Sequence, residues 1–198
     1  MSGSSLRRNE LRAVGNVAER IAEIVVLAED LSQGNFVRHY LIRAGQESRS
    51  IRMRLAPSGR GSGEQYVRER YAIEVALYRN RSSSRKAALV LGIDADVGAV
   101  AEREVQLRAS LTKAGEEDRG LTDRIALLIA KRNIETWILC LSGEQVDETT
   151  DYKRRAAVSD KIRASAEILF DWSRMNYAVP PRCVPSLRRA LVEVRRIG

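Results

Sequence analysis

The chain has 198 residues, 44% hydrophobic and 30% charged, enough for one well-covered domain and unlike a disordered composition. No apolar run is long enough to span a bilayer, and the polar start MSGSSLRRNELR has no signal-peptide core, so a cytoplasmic protein without a membrane segment is expected. The net charge of +8 is uneven: 4 Arg and 5 acids in residues 1–37, 12 basic residues and 4 acids in 38–86, 7 and 13 in 87–151, and 11 and 4 in 152–198.

Two basic flanks therefore surround an acidic centre. Of the 34 basic residues 29 are Arg, the side chain best suited to bidentate contact with phosphate. A solvated, arginine-biased surface would look the same in composition.

Leu6, Leu11, Val14, Val17 and Ile21 follow helical spacing and predict a first helix over much of residues 6–22. The β-branched run IVVLA, residues 24–28, predicts a strand ending at Glu29-Asp30. Phe36, Val37, Tyr40 and Leu41 share one face of a helix predicted over 33–44. In 50–55, Ile51, Met53 and Leu55 alternate with Arg52 and Arg54, the period of a half-exposed strand. A Gly-rich loop over 57–63, an amphipathic helix over 64–78 and a basic linker, RNRSSSRK, follow.

Residues 87–96, AALVLGIDAD, form an apolar run that stops on Asp94 and Asp96. A strand covered on both faces reads this way, and its carboxyl end is where ligands of open α/β sheets bind. Residues i and i+2 of a strand point to the same side, so the pair offers two hard oxygen ligands of the kind that hold Mg²⁺ or Mn²⁺. A helix over 98–113, a Gly- and acid-rich loop, a fourth strand over 124–130 and a helix over 134–141 come next. A polar stretch at 144–152 leads to helices over 160–174 and 185–196. Strands alternating with helices imply an α/β fold with a mostly parallel, four-stranded sheet.

The order strand-Glu29, helix, strand, helix, strand-Asp94-x-Asp96, helix, strand resembles the Toprim domain, the Rossmann-like metal-dependent unit of topoisomerases, primases and several small nucleases. The resemblance covers about residues 24–141. It divides the chain into an N-terminal helical segment (1–23), a Toprim-like domain (24–142) and a basic helical C-terminal extension (143–198). It implies that Glu29, Asp94 and Asp96 hold Mg²⁺ or Mn²⁺ against a phosphodiester. Nucleases of the overcoming-lysogenization-defect type follow the glutamate with Gly, then Ser or Thr, then an acid. Here Asp30, Leu31, Ser32 and Gln33 follow, so Asp30 is the candidate replacement ligand.

Phosphoryl transfer needs its charge neutralised and its water activated, which a carboxylate-held cation supplies, and three acids at one sheet edge would repel one another without it. Arg132-Asn133-Ile134-Glu135-Thr136-Trp137 is similar to the Arg-x-Ile-Glu-x-Trp signature of small bacterial Toprim-like proteins. It assigns Glu135, on a helical first turn, to orienting water or a second ion; alone it would read as an ordinary helix-start acid. Lys153 is the candidate transition-state cation, or else a surface lysine.

His39, the only histidine, is not expected to act as a base. No nucleophile elbow, P-loop or dinucleotide fingerprint is present. Cys140 and Cys183 lack metal-site spacing and are expected to be reduced packing residues. The expected function is a metal-dependent nuclease acting on DNA or RNA. By analogy it is the effector subunit of a prokaryotic anti-phage defence system with an ATPase partner. The alternative is a nucleic-acid-binding or regulatory subunit with a degenerate site. A nucleotide-sugar transferase, which also uses D-x-D, is disfavoured by the small size and by Glu29.

Overall fold

The structure, a computed structural model, describes residues 20–57, 62–155 and 157–197. The chain forms β1 (Glu23–Ala28), α1 (Leu31–Arg43), β2 (Ile51–Leu55), α2 (Gly63–Ser82), β3 (Ala87–Asp94), α3 (Val100–Lys113), β4 (Ile125–Ala130), α4 (Ile134–Leu141), α5 (Val158–Ser173) and α6 (Pro185–Val194). The helix expected over 6–22 falls mostly outside the described residues.

All four strands are parallel, in the order β2-β1-β3-β4. The three strands with unbroken apolar runs are those covered on both faces, β4 among them although it forms one edge of the sheet; the alternating strand β2 forms the other edge. Strand periodicity divides each interior run between two cores. Ile24, Val26 and Val90 face Phe36, Leu41, Trp137, Leu169 and Leu187, while Val25, Leu27 and Leu91 face Val67, Tyr71, Val75, Leu107 and Leu111. Helices α1, α4, α5 and α6 thus cover one face, and α2 and α3 the other. The C-terminal helices continue the first core, α5 packing on α1 and α4 and α6 on β4. The architecture is α/β and Rossmann-like, a four-stranded parallel sheet flanked by helices with helices added at the C terminus.

Helices α1 and α2 each differ from the expectation at one end for a local reason. Helix α1 starts at Leu31 because Asp30 caps it, its Oδ1 accepting from the Gln33 amide at 2.9 Å. Helix α2 runs into the supposed basic linker as far as Ser82. There Arg79 pairs with Glu116 at 2.6 Å and Arg81 lies 3.6 Å from Glu23, so these arginines belong to a docked helical turn. Cys140 and Cys183 are free and buried.

The chain leaves β1 toward β2 on one side and returns at β3 on the other. The strand order therefore reverses between β1 and β3, the crevice where open α/β sheets bind ligands beyond their carboxyl ends. Glu29 follows β1 directly, and Asp94 closes β3.

Candidate functional site

The two central strand ends are joined by side chains. Glu29 Oε1 accepts the Asp94 backbone N–H at 2.7 Å. Gln33, buried on the first turn of α1, accepts the Glu29 backbone N–H at 3.2 Å through Oε1 and donates Nε2 to Asp94 Oδ1 at 2.8 Å. The position at which the resemblance leads one to expect an acid thus holds a neutral amide that satisfies one Asp94 oxygen and fixes the carboxylate. From the other face, buried Arg103 donates Nε to the Asp94 carbonyl at 3.1 Å and pairs with Glu64. Gly63 opens α2 against Glu29: a Cβ there would lie 3.0 Å from the Glu29 Cβ and carbonyl oxygen.

Asp94 and Asp96 are not two consecutive same-side residues of a strand. Strand β3 ends at Asp94, and Asp96 sits in the left-handed region at φ 54°, tolerated better by aspartate than by most residues. Asp94 is 2% exposed, whereas the Asp96 side chain is 47% exposed. What reunites them is Lys153, whose Nζ lies 3.6 Å from Asp94 Oδ2 and 3.8 Å from Asp96 Oδ1. Asp30 stands beside them with one carboxylate oxygen engaged as the α1 cap.

Lys153 reaches the site through an anchor between Asn133 and Asp151. Asn133 caps α4, its Oδ1 accepting from the Thr136 amide at 3.2 Å, and its Nδ2 donates to Asp151 Oδ1 at 2.9 Å. The same Asp151 oxygen accepts the Lys153 backbone N–H at 2.9 Å. One fully buried asparagine therefore both starts the helix bearing Glu135 and tethers the loop bearing Lys153. Its cap position, three residues before Thr136, is visible in the sequence; its long-range bond is not. Glu135 leaves Oε2 buried without a hydrogen-bond partner, a costly state for an acceptor.

The acids titrate as a crowded set. Burial, reinforced by Asp96 and Asp30, raises Glu29 to about 7 against the opposing amide of Asp94 and charge of Lys153. Burial and the Glu29 charge push Asp94 well above the usual carboxylate range. Glu135 is raised by burial and by Asp30 and Asp151. Burial pulls the Lys153 ammonium down, but Asp94, Asp96, Glu29 and Glu135 outweigh it and hold it above its ordinary value. This cluster has more negative charge than one ammonium balances.

The chemistry of the donor set fits a hard divalent cation: carboxylate oxygens, surplus charge and a buried oxygen without a donor. Its geometry is less complete, since among the described residues no three acidic, histidine or cysteine side chains converge as a ready metal cage. Lys153 is the cation between the aspartates in this arrangement. His39 lies on α1, near Arg163 and Glu167 of α5, and has no part in the site.

No family model, curated protein or solved structure matches the chain.

Proposed function

We propose that the chain is a metal-dependent nuclease that hydrolyses phosphodiester bonds of DNA or RNA, with Mg²⁺ or Mn²⁺ held by Glu29, Asp94 and Asp96. The observation that carries this reading is the meeting of Glu29, Asp94, Asp96 and Lys153 at the β1–β3 crevice. A bound divalent cation would neutralise charge on the nonbridging phosphate oxygens and acidify the attacking water. Glu29 and Asp94 supply oxygens whose positions Gln33, Arg103 and the Asp94 amide fix in advance. Glu135, raised above the ordinary carboxylate range, accepts the proton of the water that attacks phosphorus. Lys153 offsets the charge that builds on the phosphoryl oxygens as the bond to the departing sugar oxygen breaks. Among the described residues no helix is long and apolar enough to cross a membrane, and a cytoplasmic role beside an ATPase in anti-phage defence rests on the Toprim resemblance alone.

A second reading is a nucleic-acid-binding or regulatory subunit whose Toprim-like site is degenerate. The amide of Gln33 favours it, because it already occupies one Asp94 oxygen. Cleavage of single- and double-stranded DNA and RNA with Mg²⁺ or Mn²⁺, with wild type against Asp94→Ala, tests the first reading. Metal-dependent cleavage lost in Asp94→Ala is expected, and cleavage unchanged by the substitution would remove these residues from the chemistry. Salt-sensitive binding with no cleavage, even when a partner ATPase is supplied, would favour the second.

A further inference from the structure

Lys153 and Glu135 also line a cavity of about 200 Å³ whose wall includes Ser32, Arg155 and Ser159. Its polar groups are mainly donors. Arg155 is held there by Glu144 at 2.6 Å, and Glu144 also takes Lys161 at 2.7 Å, so two cations share one carboxylate. Ser32 Oγ has no hydrogen-bond partner among the described residues. Helix α5 enters through Ala157 at φ 62° with no side-chain cap, so the amides of its first turn lack a side-chain acceptor where Val158 and Ser159 meet the cavity. Glu135 is the single acid on this wall and stands on the side of the carboxylate cluster. The volume lies below the roughly 300–1,000 Å³ of pockets that enclose whole small molecules. No aromatic side chain lines it, which disfavours a stacked base.

We infer that this cavity seats a terminal phosphate monoester, so that Lys153 stands between a captured polynucleotide end and the acids at Asp94. This deepens the nuclease reading and rests on it for the identity of the chain that carries the phosphate. The capture itself needs only the phosphate. A polynucleotide supplies such a group at a 5′ or a 3′ end, and the test separates the two.

Binding of thymidine 5′-monophosphate, thymidine 3′-monophosphate and thymidine to the full chain in EDTA is measured by calorimetry. At least one monophosphate is expected to bind 10-fold or more tighter than thymidine. Arg155→Ala is expected to weaken it about 10-fold, with Arg155→Lys recovering most of the loss. Because Arg155→Ala also breaks the Glu144 pair, Ser159→Glu serves as the second variant. A carboxylate in the first turn of α5 suits the helix dipole but places negative charge in the cavity, and it is expected to abolish the phosphate preference in a folded protein. Equal binding of thymidine and both monophosphates, or wild-type binding by both Arg155→Ala and Ser159→Glu, would overturn the inference. In cleavage, oligonucleotides phosphorylated at the preferred end should react at least 10-fold faster than hydroxyl-ended ones, and Ser159→Glu should reduce them to the hydroxyl-ended rate. Equal rates on both ends in the wild type would count against end capture. Phosphate-selective binding without cleavage of any oligonucleotide, even when a partner ATPase is supplied, would sustain the cavity assignment and refute the nuclease reading.

Discussion

Replacing Glu29 by Gln should stabilise the metal-free protein at pH 8 while ending the proposed cleavage activity. The glutamine Oε1 can still accept the Asp94 N–H that Glu29 accepts at 2.7 Å, so the substitution removes charge and keeps the main hydrogen bond. Raising a carboxyl from 4.5 to about 7 means that the fold prefers its protonated form. That preference stabilises the protein fully below about pH 4.5 and is lost as pH rises through about 7, because the folded chain binds the extra proton only in that window. At about 1.4 kcal/mol per tenfold in proton affinity, the ionised group at pH 8 costs roughly 3 kcal/mol. Screening at this partly exposed position and relaxation of the neighbouring acids reduce the expected gain of Glu29→Gln to about 1–3 kcal/mol, or several degrees in Tm for a chain of this size. Thermal melts in EDTA at pH 5 and pH 8 should show the variants diverging only at the higher pH. Added Mg²⁺ should then raise the wild-type Tm more than that of Glu29→Gln, since a ligand stabilises the state it binds. A Glu29→Gln protein no more stable than wild type at pH 8 would refute the crowded-acid account, and an equal Mg²⁺ response would remove Glu29 from the metal set.

Three further substitutions probe the supports. Gln33→Leu leaves Asp94 Oδ1 and the Glu29 amide without their partner; a loss of about 1–3 kcal/mol in urea unfolding is expected, and an unchanged midpoint would show the bridge to be dispensable. Asn133→Ala removes a helix cap and the Asp151 tether, so about 0.5–2 kcal/mol of stability should go together with most of the cleavage rate. Full activity in Asn133→Ala would mean that Lys153 reaches the site without its anchor. Lys153→Met should raise the Glu29 pKa, since Lys153 lowers it, and should depress kcat more than KM. Titration of the Glu29 carboxyl by carbon-13 NMR checks the first, and a downward shift would contradict the assigned geometry.

The strand ends show how much of the site was legible. Glu29 and Asp94 were readable because each closes an apolar run with an abrupt acid, and parallel strands bring their carboxyl ends to one edge. Asp96 was readable as a neighbour but not in its geometry, because the left-handed turn after β3 leaves no trace in hydropathy. Gln33 read as a missing ligand; the structure makes it the link between two strand ends, 61 residues from Asp94 in sequence. Lys153 read equally well as a surface cation, because its place beside Asp94 and Asp96 depends on Asn133 and Asp151 anchoring its loop. Helix α2 outran its expected end because Arg79 and Arg81 found partners on distant segments, which composition cannot register.

The sequence by itself determined the order of elements, the parallel sheet and that β2 is half-exposed, since these follow from local periodicity and from whether one or both faces of a strand must be apolar. Only the tertiary structure decided which strands became neighbours, that the order reverses between β1 and β3, and that an amide, an arginine and a lysine from three separate segments surround one buried aspartate. Periodicity records the burial of each residue along its own element, whereas a site is made by contacts between residues far apart in the chain.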